Sequence, residues 1–471
     1  MRQSEALTIL EAGASVFLTG APGSGKTYVL NQFIRQARAM GASVAVTAST
    51  GIAATHVNGQ TIHSWSGVGV SNALTASLLK QIRTRRRRKI QATDVLVVDE
   101  VSMMHAWLFD MVDEVCRAIR HDDRPFGGMQ VVCSGDFYQL PPVSVGGRNR
   151  DVLAPSPEFV ASRERYAEAG RNPDGFITES FAWQALQPVV CYLTEQHRQD
   201  DGALLGVLTD IRNGAVSQTD RNALVTRLGV LPADDEVAVT LFPVNRQADS
   251  LNDIRLARIP DAEHEFYAQC TGQTNLVNRL KSNMLAPERL VLKTGAAVMA
   301  LRNDQDHQYV NGSIGTVRSF APESRGGWPI VEFENGNVVT MRPASWEMTD
   351  GETVLASVKQ VPLRCAWAIT IHKSQGMTLD RAVMDLRRTF APGMGYVALS
   401  RVESLGGLYL TGVNERMFLV SADAVALDVD LRAASRAAAD RLMKDGDAES
   451  FVPKTGQSVD GDDEFAQDAL F

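Results

Sequence analysis

The residues best suited to chemistry lie in Gly20-Ala-Pro-Gly-Ser-Gly-Lys-Thr27. Glycines at this spacing let backbone N–H groups close around phosphate oxygens at a helix start, and a lysine there neutralises β- and γ-phosphate charge. Gly20, Pro22, Gly23, Ser24, Gly25, Lys26 and Thr27 thus form a cradle for a nucleotide, with the Thr27 hydroxyl as a magnesium ligand. Asp99 and Glu100 end the apolar run Val95–Val98. Acids at the tip of a buried parallel strand suit a magnesium-holding Asp99 and a water-activating Glu100. Gln139, in Gly135-Asp-Phe-Tyr-Gln-Leu-Pro-Pro142, follows another buried run and suits positioning of the attacking water or sensing of the γ-phosphate. Charge developing on that phosphate is usually met by an arginine from elsewhere, and Arg198 and Arg401 are the two candidates. The chemistry implied is magnesium-assisted phosphoryl transfer from ATP. The plain alternatives are a glycine-rich turn, a solvated acid pair and solvent-facing arginines.

These residues need a scaffold. Val16–Thr19, Val44–Thr47, Val95–Val98 and Val131–Cys133 are β-branched and not alternating, as in parallel strands buried on both faces. Between the first two, Val29, Leu30, Phe33, Ile34 and Ala37 mark a helix stopped by Gly41, and Met103 to Ile119 marks another. The pattern predicts a doubly wound α/β sheet over 1–190, broken by a surface insertion at 145–180. A second α/β unit is expected from about Val189, over 191–290 and 362–425. Within it, 291–361 has strand-like runs punctuated by Asn311-Gly312 and Asn335-Gly336, the signature of hairpins, and predicts a small inserted β barrel. Residues 426–471 are expected to hold a C-terminal helix and, from Asp445, an acidic disordered tail.

With 471 residues, 44% of them hydrophobic and 22% charged, the chain has the composition of a globular protein with a sizeable core. No stretch is long and apolar enough for a membrane span, and the start lacks a signal or transit pattern. Cys116, Cys133, Cys191, Cys270 and Cys365 are scattered singly, which argues against a disulfide framework or zinc site and fits the cytoplasm. The net charge of −8 is unpromising for a nucleic-acid binder until it is divided by region. Residues 445–471 carry −7, so the rest sums to −1 and contains the run Arg83-Thr-Arg-Arg-Arg-Arg-Lys89. That run is either a solvated helix face or a phosphate-tracking patch.

Taken in order, GAPGSGKT (20–27), STGIAA (49–54), TIHSW (61–65), VVDEVSM (97–103), PFGGMQVVCSGDFYQLPPV (125–143), LTEQHRQ (193–199), ITIHKSQGMTL (369–379) and YVALSRV (396–402) resemble the Pif-one DNA helicases, RecD-like members of the B branch of helicase superfamily one. The resemblance covers about 1–425, and Arg117 to Val143 resembles the segment that marks this family among its relatives. It implies two RecA-like motor domains, an ATP-dependent helicase that translocates on single-stranded DNA in the 5′→3′ sense and unwinds duplex or structured DNA, with single-stranded and forked DNA as partners, and roles of the kind seen in DNA repair, recombination and telomere maintenance. It also implies that Gln3 contacts adenine, that Gln139 couples nucleotide state to the DNA groove, that Arg198 and Arg401 meet the γ-phosphate, and that Thr50, Gly51, His63, Ser374 and Gln375 touch the DNA strand. Ser49 and Val244 depart from the family's usual proline and threonine.

Trp65, beside His63, is a further DNA candidate by base stacking, with burial in the core as its alternative. The acidic tail, with Phe465 and Phe471, suits docking of a protein partner. A monomer is expected, with a nucleoid association if bacterial. The rival readings are an ATP-switched binding module that does not unwind DNA and a small-molecule phosphotransferase; the latter lacks any acceptor-pocket motif.

Overall fold

The computed structural model describes residues 1–142, 156–195, 202–233 and 238–452, apart from 58, 70, 285, 303, 305–307, 310–312, 351–352 and 447. Arg198 and the end of the tail fall outside these residues.

Six parallel strands form the first sheet: β1 (Val16–Gly20), β2 (Val44–Ala48), β3 (Gln60–Thr61), β4 (Val95–Asp99), β5 (Gln130–Ser134) and β6 (Val189–Leu193), in the order β3-β2-β4-β5-β1-β6. Every residue of β1 is buried and β4 and β5 are nearly so, which is why their sequences are continuous runs of Val, Leu and Cys. Helix α1 (Gln3–Glu11) packs on α2 (Lys26–Ala39), whose Val29, Leu30, Phe33, Ile34 and Ala37 form one buried stripe. The Val189 run belongs to this sheet and not to the second unit. It pairs with β1 along five residues, from Val16 opposite Val189 to Gly20 opposite Leu193.

The presumed surface insertion is also partly core. Helix Pro157–Glu168 buries Tyr166, whose hydroxyl donates to Asp110 at 2.5 Å, and Phe176 and Ile177 join the main hydrophobic cluster.

The second sheet starts with β7 (Val239–Phe242). An antiparallel unit follows, earlier than the hairpin signals suggest: β8 (His264–Tyr267), β9 (Gln269–Gly272), β10 (Arg289–Leu292), β11 (Ala297–Ala300), β12 (Ile314–Phe320), β13 (Pro329–Phe333), β14 (Val338–Thr340), β15 (Ala344–Asp350), β16 (Thr353–Gln360) and β17 (Leu363–Cys365). These make a five-strand sheet, β14-β13-β12-β11-β17, with a three-strand piece, β15-β16-β9, and a two-strand piece, β10-β8. Leu290, Val298, Val317, Val331, Phe333 and Leu363 share its separate core. The chain then returns to the parallel sheet through β18 (Ala368–Thr370), β19 (Ala382–Asp385) and β20 (Leu408–Gly412), ordered β18-β7-β19-β20.

The C-terminal helix, Ala422–Asp445, crosses back to the first sheet, where the Ser435 hydroxyl accepts from the Tyr192 amide at 2.9 Å. Beyond Asp445, where disorder was expected, Ala448–Phe451 form a 3-10 turn and Phe451 packs on the cluster that contains α1 and α2.

Candidate nucleotide site and nucleic-acid face

The loop after β1 is shaped by its glycines. Gly23 and Gly25 have φ of 81° and 84°, and Gly25 is the cap from which α2 starts. A Cβ at Gly25 would lie 2.0 Å from Gln3 Nε2, and that amide donates to the Ser24 carbonyl at 3.0 Å. Gln3 is therefore seated at the loop from α1, with its own backbone amide held by Glu195 at 2.7 Å. Lys26 is half-buried. Its Nζ donates to the carbonyls of Gly20 (2.8 Å) and Ala21 (3.1 Å), and burial pulls its pKa below the usual lysine range despite the nearby Asp136. Thr27 is exposed beside it, and Pro22 is buried.

Across the sheet, β4 delivers Asp99 and Glu100. Burial raises the pKa of Asp99, against a hydrogen bond from the Ser134 hydroxyl on β5. Glu100 takes a left-handed backbone conformation with φ of 52°, a strain typical of functional turns. Burial, and then the Asp99 charge, push its carboxyl up to about 7, opposed by Arg401 and Gln375. The Ser49 hydroxyl donates to the Glu100 carbonyl at 2.7 Å, a bond that the family's usual proline could not make.

The second sheet closes over these groups. Gln375 is buried, and its Nε2 donates to Glu100 Oε2 at 3.1 Å. Arg401 is buried with its guanidinium on backbone carbonyls: Nε to Val397 (2.9 Å) and one terminal nitrogen to Met377 (2.9 Å) and Ser374 (3.3 Å). Gln139 is buried at the same junction, and its Oε1, Gln375 Oε1 and Ser24 Oγ have no protein partner, three polar atoms able to meet a ligand or its water.

The DNA candidates divide. Thr50 caps the short helix Gly51–His56, accepting from the Ala53 amide at 3.2 Å, and Gly51 is exposed at its start. His63 is half-buried in helix Ile62–Ser66, where burial, followed by the His105 charge, lowers its pKa. Trp65 corrects the stacking expectation. It is fully buried in the main core, so a base cannot reach it. Ser374 and Gln375 are corrected too: Ser374 is fully buried with its hydroxyl on the Ile371 carbonyl, and Gln375 is engaged with Glu100. The residues of that block that reach the surface are the exposed Gly376 and Thr378 and, among the possible cations, the half-buried His372 and Lys373. Burial pushes the Lys373 amine down to about 8. Arg83–Lys89 spans helices Ala76–Arg85 and Arg87–Gln91, exposed except at the half-buried Arg86, which lies against Gly67 beside the His63 helix.

Residues that the sequence reading missed are Asp136, Arg212 and Tyr396, which meet in the cleft. The available signal was Asp136, an acid in a block otherwise buried, which demanded a cation from elsewhere.

A phosphate loop and acid pair on one parallel sheet, covered by arginine and glutamine from a second, define a two-domain nucleotide-driven motor. The chain matches the PIF1-like helicase family over residues 3–158 and the DNA helicase Pif1 2B domain over 275–320. It is 38% identical to the ATP-dependent DNA helicase Pif1 of Psychrobacter sp., over 88% of this chain and 68% of that protein. Among solved structures it resembles the Pif1 helicase from Candida albicans, with 31% identity, a TM-score of 0.80 and coverage of 91% and 98%. It also resembles the Bacteroides Pif1 helicase in complex with ADP-AlF3 and single-stranded DNA, with 26% identity, a TM-score of 0.69 and coverage of 92% and 96%. The chain belongs to the PIF1-like family of ATP-dependent DNA helicases.

Proposed function

We propose that the chain translocates along single-stranded DNA in the 5′→3′ sense and opens forked duplexes, driven by ATP bound between the two parallel sheets. The observation that carries this reading is the Gln375–Glu100 hydrogen bond, which joins the second sheet to the hydrolytic carboxylate of the first.

In this mechanism Gln3 reads the adenine edge and the loop amides of 20–25 hold the phosphates. Lys26 leaves the Gly20 and Ala21 carbonyls for the phosphates, which suit an ammonium better than neutral carbonyls do. Glu100, with its raised pKa, accepts the proton of the attacking water, and Gln139 orients that water. Arg401, and Arg198 from outside the described residues, stabilise the charge that develops on the γ-phosphate. The exposed Thr27 hydroxyl and Asp99 fit a magnesium ion, which uses few protein oxygens and would supply charge neutralisation at the phosphates. Closing the sheets and reopening them after hydrolysis alternates two DNA grips.

One grip comprises Thr50, Gly51 and His63, and the other the surface around His372 and Lys373. The Arg83–Lys89 face extends the first grip with phosphate contacts, and the inserted antiparallel unit guides the strand. The DNA seen with the Bacteroides relative supports a single-stranded track for this chain. Among the described residues no helix is long and apolar enough to cross a membrane.

The test is ATP turnover with and without single-stranded DNA, together with strand separation on forks carrying only a 5′ or only a 3′ tail. Stimulation by DNA and unwinding of the 5′-tailed fork are expected. Turnover indifferent to DNA would favour the switch-module reading, and unwinding of only the 3′-tailed fork would reverse the polarity.

A further inference from the structure

The deepest charges at the junction of the two sheets are absent from the chemistry above. Asp136, two residues beyond β5, is completely buried, and Arg212 is 3% exposed. An Arg212 terminal nitrogen donates to Asp136 Oδ2 at 2.7 Å and to the Tyr396 hydroxyl at 2.8 Å, and that hydroxyl donates to the same Asp136 oxygen at 3.0 Å. The other terminal nitrogen donates to the Tyr192 hydroxyl at 2.6 Å, and Tyr192 donates to Asp428 of the C-terminal helix at 2.8 Å. The guanidinium also stands over the Tyr138 ring, 4.2 Å from its centre.

A pair so fully removed from water is weak evidence for stability, because apolar packing of equal volume serves folding as well or better. What distinguishes this one is what it fastens. Tyr396 lies in helix Met394–Leu399, which runs through Ser400 into Arg401. Arg212 ends helix Gly202–Arg212, the first element after the segment that contains Arg198. The start of the Tyr396 helix is also pressed against the first sheet's loop: a Cβ at Gly393 would lie 2.7 Å from the Gln139 carbonyl and 2.8 Å from that of Tyr138. One carboxylate of the first sheet thus holds the helix that leads into Arg401 and the end of helix Gly202–Arg212.

We propose that Asp136 is a positioning residue for ATP hydrolysis, setting through Tyr396, with Arg212 as its counter-charge, where Arg401 stands relative to the γ-phosphate. The proposal rests on the role of Arg401 given above. It assigns Tyr396 a function beyond packing, since its hydroxyl is the group through which Asp136 grips the Arg401 helix.

Asp136→Asn would leave the buried Arg212 only the more distant carboxylate of Asp428, 3.6 Å away, and endanger folding, so the test uses Tyr396→Phe, which keeps the ring. Misplacement of a transition-state contact costs turnover, so with saturating single-stranded DNA the variant is expected to lose about tenfold or more in kcat while KM for ATP and affinity for ADP stay within about twofold. In an Arg401→Ala background the same substitution is expected to change kcat by less than about twofold, since no guanidinium remains to be placed. Equal losses in both backgrounds, no loss in either, or a raised KM at unchanged kcat would overturn the proposal while leaving Arg401 as the finger. If Arg401→Ala alone retains full turnover, the Arg401 role itself fails and the proposal falls with it.

Discussion

The two parallel sheets differ most at corresponding strand ends. After β1 the chain runs through Gly20, Gly23 and Gly25 into α2, leaving open amides at the helix start. After β7 it runs through Pro243 and Val244 into helix Asn245–Arg258, with no glycine and with a valine cap that makes no side-chain bond. The first end is built to surround an anion and the second is not. What the second sheet gives instead is reach: Gln375 to Glu100, and Arg401 beside it. If, as proposed, one sheet binds and the other completes the chemistry, substitutions on the two sides are expected to fail differently.

Lys26→Ala should have the largest effect, loss of ATP hydrolysis by well over a thousandfold, since positioning and charge neutralisation carry most of phosphoryl transfer. Turnover within about tenfold of the parent would remove the loop from the mechanism. Arg401→Ala should cost about 10³ in kcat while nucleotide affinity is kept, because an arginine finger acts on transition-state charge. If affinity were lost and kcat at saturation kept, the division of labour between the sheets would be wrong.

A smaller effect is expected in the core beneath the first sheet's proposed DNA face. Trp65→Phe should lower stability by about 1–3 kcal/mol, read from denaturant unfolding, and leave single-strand affinity unchanged. Weaker DNA binding at unaltered stability would return Trp65 to the DNA face. The subtlest test concerns the second sheet. Burial holds the Lys373 amine near 8, so the cation that would meet a DNA phosphate is present below that pH and lost above it. Single-strand affinity should therefore fall as pH rises through about 8, and Lys373→Arg, which stays charged, should flatten the fall. A profile identical in both proteins would take Lys373 off the DNA path.

The same asymmetry explains how far the sequence could be read. The cradle and acid pair are local, encoded by glycine spacing and by the end of one buried strand, so Gly20–Thr27, Asp99 and Glu100 were legible. The parallel strands were legible too, because burial on both faces leaves continuous apolar runs. Partners chosen across the fold leave no such trace. Val189–Leu193 has the composition of any buried strand, and nothing in it says which sheet it joins. Trp65, Ser374 and Gln375 sit in blocks whose neighbours reach the surface, and only packing decides which member turns inward. The union of Asp136, Arg212 and Tyr396 spans three distant segments.

The C-terminal helix has a mechanical consequence. The chain passes from the first sheet to the second after β6 and comes back through Ala422–Asp445, which lies on β6 again. The second domain is therefore hung like a door on two hinges, both mounted on the same jamb. A single tether would leave it free to swivel in any direction. Two tethers favour one swing, about the line that joins them, over the rest, so the closure proposed on a nucleotide would be directed into opening and shutting the cleft and not into twisting.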